Sequence, residues 1–135
     1  GLPEYAPELL TLVGGEGGPG SAPAAWAALR ALAELGATEL ARALPLAAAH
    51  PEGEVAKEAA RIAASLPGEV GKSVLLACAR HTSWDVRRRA AIALANRADA
   101  DLLGELESLL AQESDPLVAE ELERAVRSHE ERSKG

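Results

Sequence analysis

The stretch HTSWDVRRRAAIALANRAD at residues 81–99 decides the fold. Its apolar positions return once per helical turn: Val86 is followed by Ala90, Ala93 and Leu94, at offsets of four, seven and eight. The same offsets recur from Val55 as Ala59, Ile62 and Ala63, and from Ala24 as Ala28, Ala31 and Leu32. A last copy opens at Val118 and continues through Leu122, Ala125 and Val126. The copies lie 31 to 32 residues apart. These offsets place four side chains on one stripe of a helix. A repeat of this length cannot bury its own stripe, so neighbours must stack, and the expected architecture is an all-α solenoid.

Working outward, each such helix is preceded by a second apolar stretch, which gives about four antiparallel helical hairpins. First helices are expected at about 4–13, 38–49, 69–81 and 101–112, and second helices at about 22–35, 52–66, 84–97 and 116–131. Ser83 and Asp115 suit N-caps, while Pro51 and Pro116 suit a first helical position. Gly36 and Gly68 follow second helices, where a left-handed residue is often needed. Pro45 falls inside a first helix and should kink it. The stretch GGEGGPG at 14–20 reads as a mobile loop, and the polar tail at 129–135 as a frayed end.

The 135 residues form a single domain's worth of chain, with 30 alanines and 21 leucines against nine Val plus Ile, a balance that favours helix. The net charge of −7 is uneven: residues 68–99 carry six basic and three acidic groups, while 100–135 carry four and ten. An acidic whole argues against general affinity for nucleic acid, whose binding is driven by phosphate neutralisation. One cysteine, Cys78, excludes an internal disulfide and suits a reducing cytoplasm, the expected location. No run of 18 apolar residues exists to span a membrane.

The segments HPEGEVAKEAARIAASL (50–66) and HTSWDVRRRAAIALANRAD (81–99) resemble the second helix of HEAT repeats. They look most like the short class of about 30 residues found in phycobilisome lyases and many bacterial proteins. The resemblance covers about residues 20–128 and is strongest in the third copy. It implies a solenoid whose second helices line a concave surface. The family usually places Asp five residues before the anchor and Arg directly after it. Here those positions hold His50, His81 and Glu113, with Arg87 alone filling the second. The sequence thus offers little ground to expect the Asp–Arg ladder that links repeats in the family.

Chemistry-bearing patterns are few. Gly71-Lys72-Ser73 resembles the end of a phosphate loop, but the glycine such a loop needs is Leu66 and a helix, not a strand, surrounds it. Cys78 and His81 share a helical face, with His50 one repeat earlier; two or three such groups do not complete a zinc site. Paired carboxylates such as Glu105, Glu107, Glu120, Glu121 and Glu123 read as solvated faces. No catalytic residue, cofactor or metal is therefore expected.

Registering the second helices gives the most informative polar set. Offset two holds Trp26, Lys57, Arg88 and Glu120; offset three Ala27, Glu58, Arg89 and Glu121; offset six Arg30, Arg61, Ile92 and Arg124. These rows lie opposite the apolar stripe. Arg and Trp are enriched at binding hot spots, so Trp26, Arg30, Arg61, Arg88, Arg89, Ile92 and Arg124, with Trp84 in the preceding turn, form the candidate binding set. The bland alternative is a soluble face, since Glu58–Arg61, Glu121–Arg124 and Arg30–Glu34 are helical ion pairs worth a few tenths of a kcal/mol, roughly, each. The expected function is a non-enzymatic interaction or scaffold module holding a protein or peptide, with an acidic partner favoured by the arginines. The alternatives are a nucleic-acid-binding HEAT-like domain and, following the lyases, a tetrapyrrole binder.

Overall fold

The computed structural model describes residues 22–134 apart from Gly36, with side chains at 22 and 32–37 set aside. The expected helix at 4–13, the glycine loop at 14–20 and the Gly36 turn lie outside the described residues. Seven helices follow: α1 Ala22–Leu35, α2 Ala37–Ala48, α3 Gly53–Ala64, α4 Glu69–Cys78, α5 Trp84–Ala95, α6 Leu102–Gln112 and α7 Pro116–Lys134. They form two layers. The second helices α1, α3, α5 and α7 pack side by side in sequence, and α2 packs against α4. This is the small all-α solenoid that the period of the apolar stripe requires.

The stripe is buried at its first two positions, with one shift, and half-buried at Ala31, Ile62 and Ala93 one turn further on. Val55, Val86 and Val118 are buried, as are Ala59, Ala90 and Leu122 one turn on. In α1 the anchor Ala24 is exposed and Ala25 beside it is buried instead. Burial also reaches offset five, at Leu29, Ala60 and Ala91, because the next second helix lies against that side. In α7 the same offset is the exposed Glu123. Helix α6 buries one residue per turn, Leu102, Leu106 and Leu109, where α4 buries Val74, Leu75 and Cys78, followed by its C-cap Ala79. The repeat formed by α6 and α7 therefore turns a polar flank outward on this side.

Polar rungs tie the repeats together at both ends of the second helices. At one end His81 accepts the Ser83 N–H on Nδ1 at 3.0 Å. The ring proton then sits on Nε2, which donates to the His50 carbonyl 2.7 Å away, one repeat back. His50 takes the Glu52 N–H in the same way. At the next junction the rung becomes ionic: Arg87 Nε lies 3.0 Å from both Glu113 oxygens, and its Nη1 donates to the His81 and Thr82 carbonyls. The family's ladder is thus present as one Arg–Glu rung, with histidine and carbonyl replacing it one repeat earlier. At the other end Arg97 donates to the Ala63, Leu66 and Gly68 carbonyls, closing the C-terminus of α3. His129 occupies the equivalent place and bonds the Leu94 carbonyl at 2.9 Å.

These rungs explain where the helix ends differ from expectation. Pro51 precedes α3 rather than opening it, because the His50 ring holds the Glu52 N–H and keeps Glu52 extended. Ser83 is extended at the N-cap of α5 but turns its hydroxyl to Asp85. Asp115 does cap α7, accepting the Leu117 and Val118 N–H groups, and Pro116 is the first helical residue. Helix α2 runs through Pro45. Gly68 has φ +84°, which side-chain-bearing residues avoid. Gly71 is glycine for closeness: a Cβ there would sit 2.2 Å from the Leu66 carbonyl oxygen. The tail expected to fray at 129–135 is helical over its described part, with α7 continuing to Lys134. Buried His129 anchors it, aided by Ser128 on the Ala95 carbonyl and Arg132 on the Arg97 carbonyl.

Two outcomes follow from the rungs. The Glu113 side chain is only 7% exposed, so Arg87→Ala would leave a buried carboxylate unpaired. Breaking such a pair costs about 3–5 kcal/mol, and urea unfolding should show a midpoint lowered accordingly; an unchanged midpoint would mean the rung is dispensable. Lys57 bridges Glu54 on its own helix and Asp85 on α5. The Asp85 carboxyl is held below its ordinary 3.8 by the Ser83 hydroxyl and then by Lys57. A lowered folded pKa stabilises above the unfolded value and is lost as pH falls through the folded one. Asp85→Asn should therefore melt below wild type at pH 7, with the gap closing as pH falls below 3.8 through the lowered folded pKa; a gap that persists in acid would exclude the ionic origin.

Candidate functional site

Helical periodicity turns the three polar rows to the outer side of the second-helix layer, where most of their members are exposed while Glu58 is buried. Trp26 is 39% and Ile92 37% exposed, both unusually open for large apolar groups. Arg30, Arg61, Arg88, Arg89 and Arg124 are exposed along the same face. The Arg30 guanidinium lies over the Trp26 ring, 4.8 Å from its centroid, so the two form a cation–π unit on α1.

Part of the candidate set converges. Trp26 from α1, Glu54, Lys57, Glu58 and Arg61 from α3, and Arg89 from α5 surround one open hollow of about 180 Å³. Arg88, Ile92 and Arg124 lie on the face but outside this hollow. Trp84, 46% exposed, stands at the first turn of α5 and also does not line it.

Electrostatics then divides the arginines. Arg61 Nε sits 3.0 and 3.1 Å from the two oxygens of Glu58, whose carboxylate is largely buried beneath it. Arg88 approaches Glu121 at 3.7 Å, and Arg124 lies 3.0 Å from Glu120 and 3.6 Å from Glu121. Lys57 is held by Glu54 and Asp85, and its pKa is raised, first by Glu54 and then by Asp85. Arg89 has no carboxylate partner among the described residues, and neither has Arg30. Glu34, the helical partner expected for Arg30, has a side chain outside the described set. The expected pairs Glu58–Arg61 and Glu121–Arg124 both form.

The groups singled out for other chemistry are occupied structurally. Lys72 of the Gly71-Lys72-Ser73 stretch lies 3.0 Å from both oxygens of Asp101. Cys78 is fully buried, its Sγ 3.6 Å from the Ala56 carbonyl, and burial pushes its pKa up to about 12, away from nucleophilic use. Both ring nitrogens of His81 hold backbone groups. Among the described residues no three His, Cys, Asp or Glu side chains gather as a metal would require, and no helix is long and apolar enough to cross a membrane.

Glu54, Lys57 and Glu58 complete the hollow and were not singled out from sequence. Lys57 and Glu58 did stand in the registered rows; what no pattern could tell is which charges neutralise each other across helices.

A family model for HEAT repeats matches residues 40–127, most of the chain from α2 into α7. No curated protein and no solved structure matches significantly. The match is to HEAT repeats at large, so the short lyase-like class is a likeness of sequence only. The stacked hairpins, the inter-repeat rungs and this match agree: the chain belongs to the HEAT-repeat family.

Proposed function

We propose that this chain is a non-enzymatic interaction module that holds a protein or peptide on the outer face of α1, α3, α5 and α7. The observation that carries the reading is the pair of open apolar groups on that face, Trp26 and Ile92, set among long cationic side chains. Apolar anchors ringed by polar groups are the composition of a binding hot spot rather than of a merely soluble helix. Helix spacing supports the choice of face: α5 packs closely on α7 while α4 and α6 stand apart, as they do when second helices line the concave side.

The charge pattern favours protein over nucleic acid. Carboxylates interrupt the arginines along the face, at Glu58, Glu120 and Glu121. Duplex binding needs a stripe of cations that neutralises successive phosphates. A tetrapyrrole pocket would need an enclosed apolar volume of several hundred Å³, roughly, whereas the hollow on this face is open and polar-rimmed.

The test is a titration of the affinity-purified partner against wild type and the double variant Trp26→Ala, Ile92→Ser. Both positions are exposed, so circular dichroism should be unchanged. Binding should weaken tenfold or more, with amide protection from the partner confined to α1, α3, α5 and α7. Unchanged affinity with protection on α2, α4 and α6 would place the interface on the opposite layer.

A further inference from the structure

We infer that the hollow between α1, α3 and α5 is the specificity subsite of this face, and that it takes an acidic peptide: one partner carboxylate bonds Arg89 while an adjacent apolar side chain rests on Trp26. The inference builds on the interaction reading above and sharpens it to one occupant and one location.

Three observations support it. The first is the internal charge balance of the hollow. Of its five charged side chains, Glu58 and Arg61 satisfy each other, and Lys57 is engaged by Glu54 together with Asp85. Arg89 is left over, exposed and without a carboxylate among the described residues. A guanidinium is a rigid fork suited to a carboxylate, and this one has none. The second observation is its setting. Trp26 lies on the same rim, with the Arg30 guanidinium over its ring. An anion at Arg89 and an apolar group at Trp26 can thus be met by neighbouring residues of one extended chain. The third is the contrast with the other half of the face, where Arg88 and Arg124 are already drawn to Glu120 and Glu121.

Size and sign narrow the ligand class. About 180 Å³ of open space accommodates a side chain, whereas small-molecule sites enclose about 300–1,000 Å³. Glu54, Glu58 and Asp85 border the same region, and the chain carries −7 overall. A polyphosphate would meet those carboxylates, but a peptide can place one acidic residue at Arg89 and keep its other groups clear.

Phage-displayed random 12-residue peptides selected on the full chain, followed by fluorescence titration of the enriched sequences, test the assignment. The comparison set is wild type, Arg89→Glu, Arg89→Lys, Trp26→Ala and, as a charge control on the other layer, Arg42→Glu. Enriched peptides should carry Asp or Glu next to a bulky apolar residue, and their affinity should fall as salt rises. Arg89→Glu and Trp26→Ala should each weaken binding tenfold or more, Arg89→Lys should retain part of it, and Arg42→Glu should shift it less than twofold. Peptides without acidic residues, or with equal losses from Arg89→Glu and Arg42→Glu, overturn the subsite; if Trp26→Ala still weakens them, the interaction face itself stands. No enrichment, or enriched peptides indifferent to every variant, overturns both.

Discussion

Close approach of successive second helices is the constraint on which the remaining structure depends. Helices α3 and α5 pack together, and many of the buried residues they carry are small, Ala59, Ala60 and Ala63 on one and Val86, Ala90 and Ala91 on the other. Small side chains let helix axes sit near the short end of the usual separation of about 8–10 Å. That closeness brings the helix ends of neighbouring repeats within reach of single side chains. His81, Arg87, Arg97 and His129 can then each span a repeat boundary. With bulkier contacts the same polar groups would fall short of their carbonyls, and buried donors would be left unsatisfied at a cost of about 1–3 kcal/mol each.

The rungs do different work from the core. Alanine and leucine burial is non-directional and would tolerate sliding of one helix along another. Hydrogen bonds at both ends of a helix do not, because each has one acceptor at one distance. His81 and Arg97 stand at opposite ends of α5 and grip the preceding repeat at both. The register of the second helices is thereby set, and with it the rows of polar groups on their outer face. Trp26, Arg61 and Arg89 share one hollow because three consecutive second helices pack side by side.

Much of this was legible from residues. The 31 to 32 residue period, the buried valines and the Asp115 cap all followed from spacing and residue type. Other features depended on contacts far away in sequence. The polar tail reads as frayed, but His129 is buried because Leu94, 35 residues earlier, offers it a carbonyl. Gly71 matches the end of a phosphate loop that its own sequence context rejects, and its residue type is explained by a backbone that passes too close to Leu66 to admit a Cβ. Pro51 reads as a helix start, yet a histidine ring holds the turn open.

By itself the sequence determined the helical class, the number of stacked units in its described part and the face on which arginine and tryptophan collect. Local periodicity carries that information, since side chains three, four and seven apart must share a helix surface. Only the tertiary structure decided which charges on that face are neutralised across helices. The pairs of Arg61 with Glu58 and Arg124 with Glu121 follow from spacing along one helix, whereas spacing does not tell that Arg88 reaches Glu121 on the next second helix or that Arg89 meets no carboxylate among the described residues. The difference is one of distance: ion pairing falls off within a few ångströms in water, and distances across helices are set by packing rather than by position along the chain.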